Sequence, residues 1–156
     1  MVRRAVMRIA LCVFLMTTAL VAACAGVKAQ TNSYATLAEA RQAGAIERGW
    51  IPDGLPADSH DMREGHVPGT SQRWGIFEYP QAQEAMLRTL LEPQELSADG
   101  LPCDVPARIE WWPRVLRGPL DGSRVTATGA RVYRAKSGDL WFVVNWNQGR
   151  AYYWSQ

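Results

Sequence analysis

The five residues LWFVV, positions 140–144, contain no polar member. Successive residues of a strand point to opposite faces of a sheet, so such a run must be covered on both sides. The segments beside it alternate instead: "ARVYRA" before it and "RAYYWS" after it, joined through "KSGD" and "NQGR", which suit tight turns. The pattern predicts an antiparallel C-terminal sheet with the LWFVV strand in its middle. The preceding "RVTATG" is read as one more strand, since Val and Thr favour extended backbone.

A sheet covered on both faces needs other elements to cover it. In "TLAEARQAGAIERGW" Thr36 and Glu39 form a capping-box pattern, in which hydroxyl and carboxylate satisfy free backbone N–H groups at a helix start. A helix is expected over residues 37–48, ended by Gly49 and carrying a thin stripe of Leu37, Ala40, Ala43 and Ile46. "RWGIFEYP" reads as a strand with Trp74, Ile76 and Glu78 on one face and Gly75, Phe77 and Tyr79 on the other. "QAQEAMLRTLLEPQ" places Ala82, Ala85, Met86 and Leu90 at helical spacing, widened by Leu87 and Leu91 and stopped by Pro93. The segment after it carries Pro102, Pro106, Pro113 and Pro119, which exclude long regular structure. The expected fold is therefore a small single α+β domain, a C-terminal antiparallel sheet packed with two helices.

Not all of the chain belongs to that domain. It opens with Arg3, Arg4 and Arg8 and no acid, followed by an apolar run over residues 9–23, the pattern of a signal peptide occupying residues 1–23. The run is shorter than the roughly 20 residues a membrane-spanning helix needs. It ends "LVAAC", which resembles the lipobox of bacterial lipoproteins, with Val21 where leucine is usual; the resemblance implies lipid attachment at Cys24. Each buried CH₂ contributes about 0.8 kcal/mol, so several acyl chains would hold the protein to a membrane lastingly. Residues 24–35 then read as a tether reaching at most about 40 Å, and residues 36–156 as the globular domain. Ala25, not an aspartate, follows the cysteine, which suggests an outer-membrane lipoprotein facing the periplasm. Cleavage after Ala25 or Ala29 would instead release a soluble periplasmic protein.

Loss of residues 1–23 leaves 14 basic and 15 acidic side chains in 133 residues. Arginines are interleaved with acids, so no basic groove for nucleic acid is expected. Of three cysteines Cys12 leaves with the signal, Cys24 takes the lipid or is cleaved away, and Cys103 stands alone. No disulfide framework results, and Cys103 in "GLPCDVP" is expected to pack as a small apolar side chain between two prolines.

Two groups of residues invite a functional reading. His60, Glu64 and His66 share a face of either a helical turn or an extended chain, a geometry open to a divalent metal. Their spacing matches no established zinc signature, and Asp58 and Asp61 suit a helix start equally well, so the stretch over 49–70 reads more readily as a shaped, turn-rich connector. Among the seven tryptophans most are expected in the core, since burying one such ring is worth roughly 4–6 kcal/mol as an upper bound. The adjacent Trp111 and Trp112 are the exception: neighbours on an extended chain face opposite ways, leaving one free to bind a partner or a glycan. No nucleophile elbow, phosphate loop, zinc-protease motif or other cofactor signature is present.

The strings "GAIERGWIPDGLPADSHDMREGH…T…RWGIFEY" and "C…WWPRVLRGPL", within residues 37–120, resemble a family of uncharacterised bacterial cell-envelope proteins. That resemblance implies an envelope protein with no assigned activity and no catalytic residues to carry over. Its pattern after His66 usually continues with aspartates; here Val67, Pro68, Gly69, Thr70 and Ser71 follow, without the oxygen ligands a cation would want. The functional expectation is thus a lipid-anchored, non-enzymatic binding or accessory module of the envelope, with an envelope protein or glycan as partner. The alternatives are a metal-dependent hydrolase using His60, Glu64 and His66, or a peptidoglycan-binding module using Trp111 or Trp112.

Overall fold

A computed structural model describes residues 28–155; the expected signal peptide and Cys24 lie outside the described residues. Strands β1 (Gln30–Thr36), β2 (His60–His66), β3 (Arg73–Glu78), β4 (Arg131–Arg134), β5 (Leu140–Asn145) and β6 (Arg150–Ser155) form one six-stranded sheet in the order β1-β2-β3-β6-β5-β4. Every neighbouring pair is antiparallel. Three short helices accompany it: α1 (Leu37–Gln42), α2 (Glu84–Leu90) and α3 (Gly122–Ala127). The α+β expectation is met, and none of these helices is long and apolar enough to cross a membrane.

The LWFVV strand, β5, is buried at every position and covered on both faces. It lies one strand in from the β4 edge, not at the centre, which the β3–β6 pair occupies. Leu140, Phe142 and Val144 join Phe77, Ala151 and Tyr153 in a core beneath Leu37, Ala40, Ile51, Leu87 and Leu91. Trp141 and Val143 face the other way, joining Trp74, Val132 and Trp154 beneath Cys103, Ile109, Trp112, Leu116 and Val125. The proline-rich segment, irregular as expected, thus builds the second layer.

Several expected boundaries move. Residues 30–36 of the expected tether and domain start are the edge strand β1, paired with β2 from Gln30↔His66 to Thr36↔His60. The first helix ends at Gln42, not Arg48, because Gly44 takes φ 74° just past the Ala43 cap. There the Gly44 and Ala45 N–H groups close back on Arg41 and Ala40 carbonyls at 2.9 and 3.0 Å, a Schellman stop. Its start is as expected: Thr36 Oγ1 accepts from Glu39 N at 3.2 Å, while Glu39 reaches back to Ala35 N at 2.8 Å. On α2 the seam is Leu87 and Leu91, with Met86 exposed. "RVTATG" is not a strand: Asp121 accepts from the Arg124 N–H at 3.1 Å and starts helix α3, which buries Val125. Four tryptophans, Trp74, Trp112, Trp141 and Trp154, are buried; Trp50, Trp111 and Trp146 are half-buried.

Candidate functional site

The second apolar layer leaves one part of its face of the sheet uncovered. Across β1, β2, β3 and β6 the register aligns Ser33, Arg63, Ile76 and Tyr152 in one row. Above them lies a groove of about 720 Å³, lined among others by Thr31, Ser33, Arg63, Glu78, Arg150 and Trp111. Its floor is polar, with hydroxyls from β1 and charged groups from β2, β3 and β6.

Trp111 forms its aromatic wall, and the neighbouring residue explains why. Trp112 is buried, donates from Nε1 to the Leu116 carbonyl at 2.6 Å, and meets Tyr152 edge-on at 5.8 Å. Trp111 stands edge-on to Trp112 at 6.0 Å and stays half-exposed. Of the two tryptophans singled out from the sequence, one anchors the segment and the other faces the groove.

One end of the groove is charged. Glu78 and Arg150 are paired across β3 and β6, and the guanidinium donates to Glu78 Oε1 from Nε at 3.0 Å and also from Nη2. This hydrogen bond holds Arg150 above its ordinary pKa. The other carboxylate oxygen faces His60 Nε2 at 4.0 Å. His60 Nδ1 donates to the Asp58 carbonyl at 3.0 Å. A bulge interrupts β2 between His60 and Arg63, and Asp61 adopts φ 47° there, a conformation uncommon for a residue with a side chain. His60, Asp61 and Glu78 consequently bring their ligand atoms within 4.8 Å of one another, the one such group among the described residues.

The three residues singled out for metal do not come together. Beyond the bulge β2 turns Met62, Glu64 and His66 toward the first core, where His66 Nδ1 donates to Glu64 Oε2 at 3.0 Å. Asn32 of β1 donates to the other Glu64 oxygen, and the Trp50 ring stacks on His66 at 3.9 Å. Tyr153 donates to the Trp50 carbonyl at 2.9 Å, its hydroxyl pKa raised by burial and then by Glu64. Glu64 is fully buried and His66 4% exposed, so this is a sealed brace and His60 is not part of it. The stretch read as a connector thus holds the strand His60–His66; "HDMREGH" hides that because its polar residues lie on both faces.

Cys103 is buried, and burial pushes its thiol up to about 12. A nucleophile would need the opposite shift. From sequence Asp61 reads as a helix-start acid beside His60 and Glu78 as an outward strand residue, and nothing there joins them to each other or to Arg150. Their meeting depends on strand register, and the only local signal was an outward charge at the end of each of two alternating strands.

A small α+β domain with an open polar groove on one sheet face is thus the class that the geometry defines. The family model of the YbbD head domain matches residues 28–78, the segment holding β1, α1, β2 and β3, which fits a bacterial envelope-protein family. It includes His60, Asp61, Glu64, His66 and Glu78 but neither Trp111 nor Arg150. No curated protein and no solved structure matches the chain.

Proposed function

We propose that the protein is an exported, lipid-anchored module of the bacterial envelope that holds a glycan in the groove beside Trp111 and carries out no reaction on it. The observation that carries this reading is the pairing of one half-exposed indole with a polar floor of hydroxyl, carboxylate and guanidinium groups. A sugar ring presents C–H surface on its faces and hydroxyls at its rim. An aromatic wall accepts the first, and fixed donors and acceptors accept the second. The leader, the "LVAAC" string and the match to the YbbD head domain support the envelope setting.

Cosedimentation with purified peptidoglycan tests the ligand. Wild-type protein should pellet with it, and Trp111→Ala should lose at least about tenfold in affinity, the loss of roughly 1.4 kcal/mol or more expected of an aromatic anchor. Equal pelleting of both proteins would remove the reading. Labelled palmitate tests the anchor: it should enter wild-type protein in its native host and not Cys24→Ser.

A further inference from the structure

We propose that His60, Asp61 and Glu78 form a binding site for a divalent transition-metal ion, zinc being the best match, at the charged end of the groove. The proposal does not depend on the groove's ligand being a glycan. One imidazole and two carboxylates are donors suited to zinc. Ligand atoms of a four-coordinate zinc lie about 3.4 Å apart when each bond is near 2.1 Å. The three here lie within 4.8 Å, with His60 Nε2 and Glu78 Oε2 at 4.0 Å. Both side chains are partly exposed and can close that difference by small rotations.

The surroundings are those of a ligand set. A carbonyl only accepts, so the Asp58 hydrogen bond places a proton on His60 Nδ1 and leaves Nε2 facing Glu78 Oε2. Metal-bound histidines use such a contact to hold their tautomer and orientation. Glu78 is likewise held, with Oε1 engaged by Arg150 and Oε2 turned to His60. At 4.0 Å that oxygen is beyond a direct hydrogen bond to Nε2, so the present geometry leaves the facing atoms unjoined. The bulge at Asp61 completes the set by placing a second carboxylate beside the imidazole. Asp61 and Glu78 supply two anionic donors for a dication, with Arg63 and Arg150 lining the same groove. Asp61 and Glu78 both line the groove.

Zinc titration calorimetry on the full-length chain, purified without a polyhistidine tag and stripped with chelator, is the test. One zinc per chain is expected, with affinity reduced at least about tenfold in Asp61→Asn and more in His60→Ala. Asparagine tolerates the left-handed backbone of position 61, so Asp61→Asn removes the charged ligand and keeps the fold. Zinc should raise the melting temperature of the wild type and leave that of Asp61→Asn almost unchanged. Absence of stoichiometric binding, or binding that survives both His60→Ala and Asp61→Asn, would overturn the site. Binding that instead disappears in His66→Ala, with His60→Ala unaffected, would overturn it too. Peptidoglycan binding lost in Trp111→Ala with zinc binding intact would separate this site from the glycan reading.

Discussion

The indole of Trp50 lies flat on the imidazole of His66, ring centroids 3.9 Å apart and planes inclined by 11°, and the pair closes over the buried carboxylate of Glu64. Trp50 follows the Gly49 turn, so this stack fastens the chain after α1 to the far end of β2. Arg48 lies over the same indole, its guanidinium carbon 4.8 Å from the ring centroid. Residues that looked like metal ligands in the sequence thereby hold two segments of the first core together.

Glu64→Ala should therefore destabilise the fold by about 3–5 kcal/mol, since it opens a cavity in the core and leaves the buried His66 N–H without its acceptor. Glu64→Gln keeps an acceptor for Asn32 and should lose only about 1–3 kcal/mol. Urea unfolding midpoints with unchanged slopes would measure both. Equal stability of Glu64→Ala and wild type would show that the brace carries no weight.

Two strand glycines make room for rings on opposite faces of the sheet. A Cβ at Gly65 would lie 2.4 Å from the ring of its cross-strand partner Trp74, and one at Gly75 would lie 2.4 Å from its partner Tyr153. Gly65→Ala and Gly75→Ala should each cost about 2–3 kcal/mol by overpacking. Gly100→Ala, at a φ of 75° but with no neighbour within 4 Å, should lose only about 1 kcal/mol. Thermal denaturation of the three proteins side by side checks the order.

Alkaline pH should weaken the fold. Burial raises the Cys103 thiol from about 9 to about 12 and raises the buried hydroxyls of Tyr79 and Tyr153 as well. The unfolded thiol ionises from pH 9 upward while the folded one keeps its proton, so stability present below pH 9 is lost as pH climbs toward 12. One such group contributes a slope of up to about 1.4 kcal/mol per pH unit. Cys103→Ala should flatten the decline between about pH 9 and 10, before tyrosines of the unfolded chain ionise. An unchanged slope in that variant would show that the thiol is not the group responsible.

The elements legible in the sequence are those whose pattern is set by their own burial. β3, β4, β5 and β6 all lie where alternation or unbroken apolarity placed them, because the two cores demand those side chains. The helix expected over residues 37–48 stops early because a single glycine within "RQAGAIE" is tolerated inside helices and ends one only when, as Gly44 does, it takes a left-handed conformation. "RVTATG" carried β-branched residues, yet the Asp121 cap and the burial of Val125 outweighed their preference. β1 and β2 stayed hidden for another reason. β1 is almost wholly exposed, and β2 interrupts its alternation with a bulge and buries a glutamate and a histidine. Trp111 was legible as one of an adjacent pair, but its groove partners come from four strands whose register no local pattern encodes.

The glycan reading rests on Trp111, and its indole N–H resonance is the most direct probe. On titration with soluble peptidoglycan fragments the Trp111 signal should shift progressively and saturably, while that of Trp112, which donates to Leu116 within the core, should move far less. A Trp111 signal that stays fixed while the fragments bind elsewhere, or no binding of fragments at all, would contradict the groove as the ligand seat.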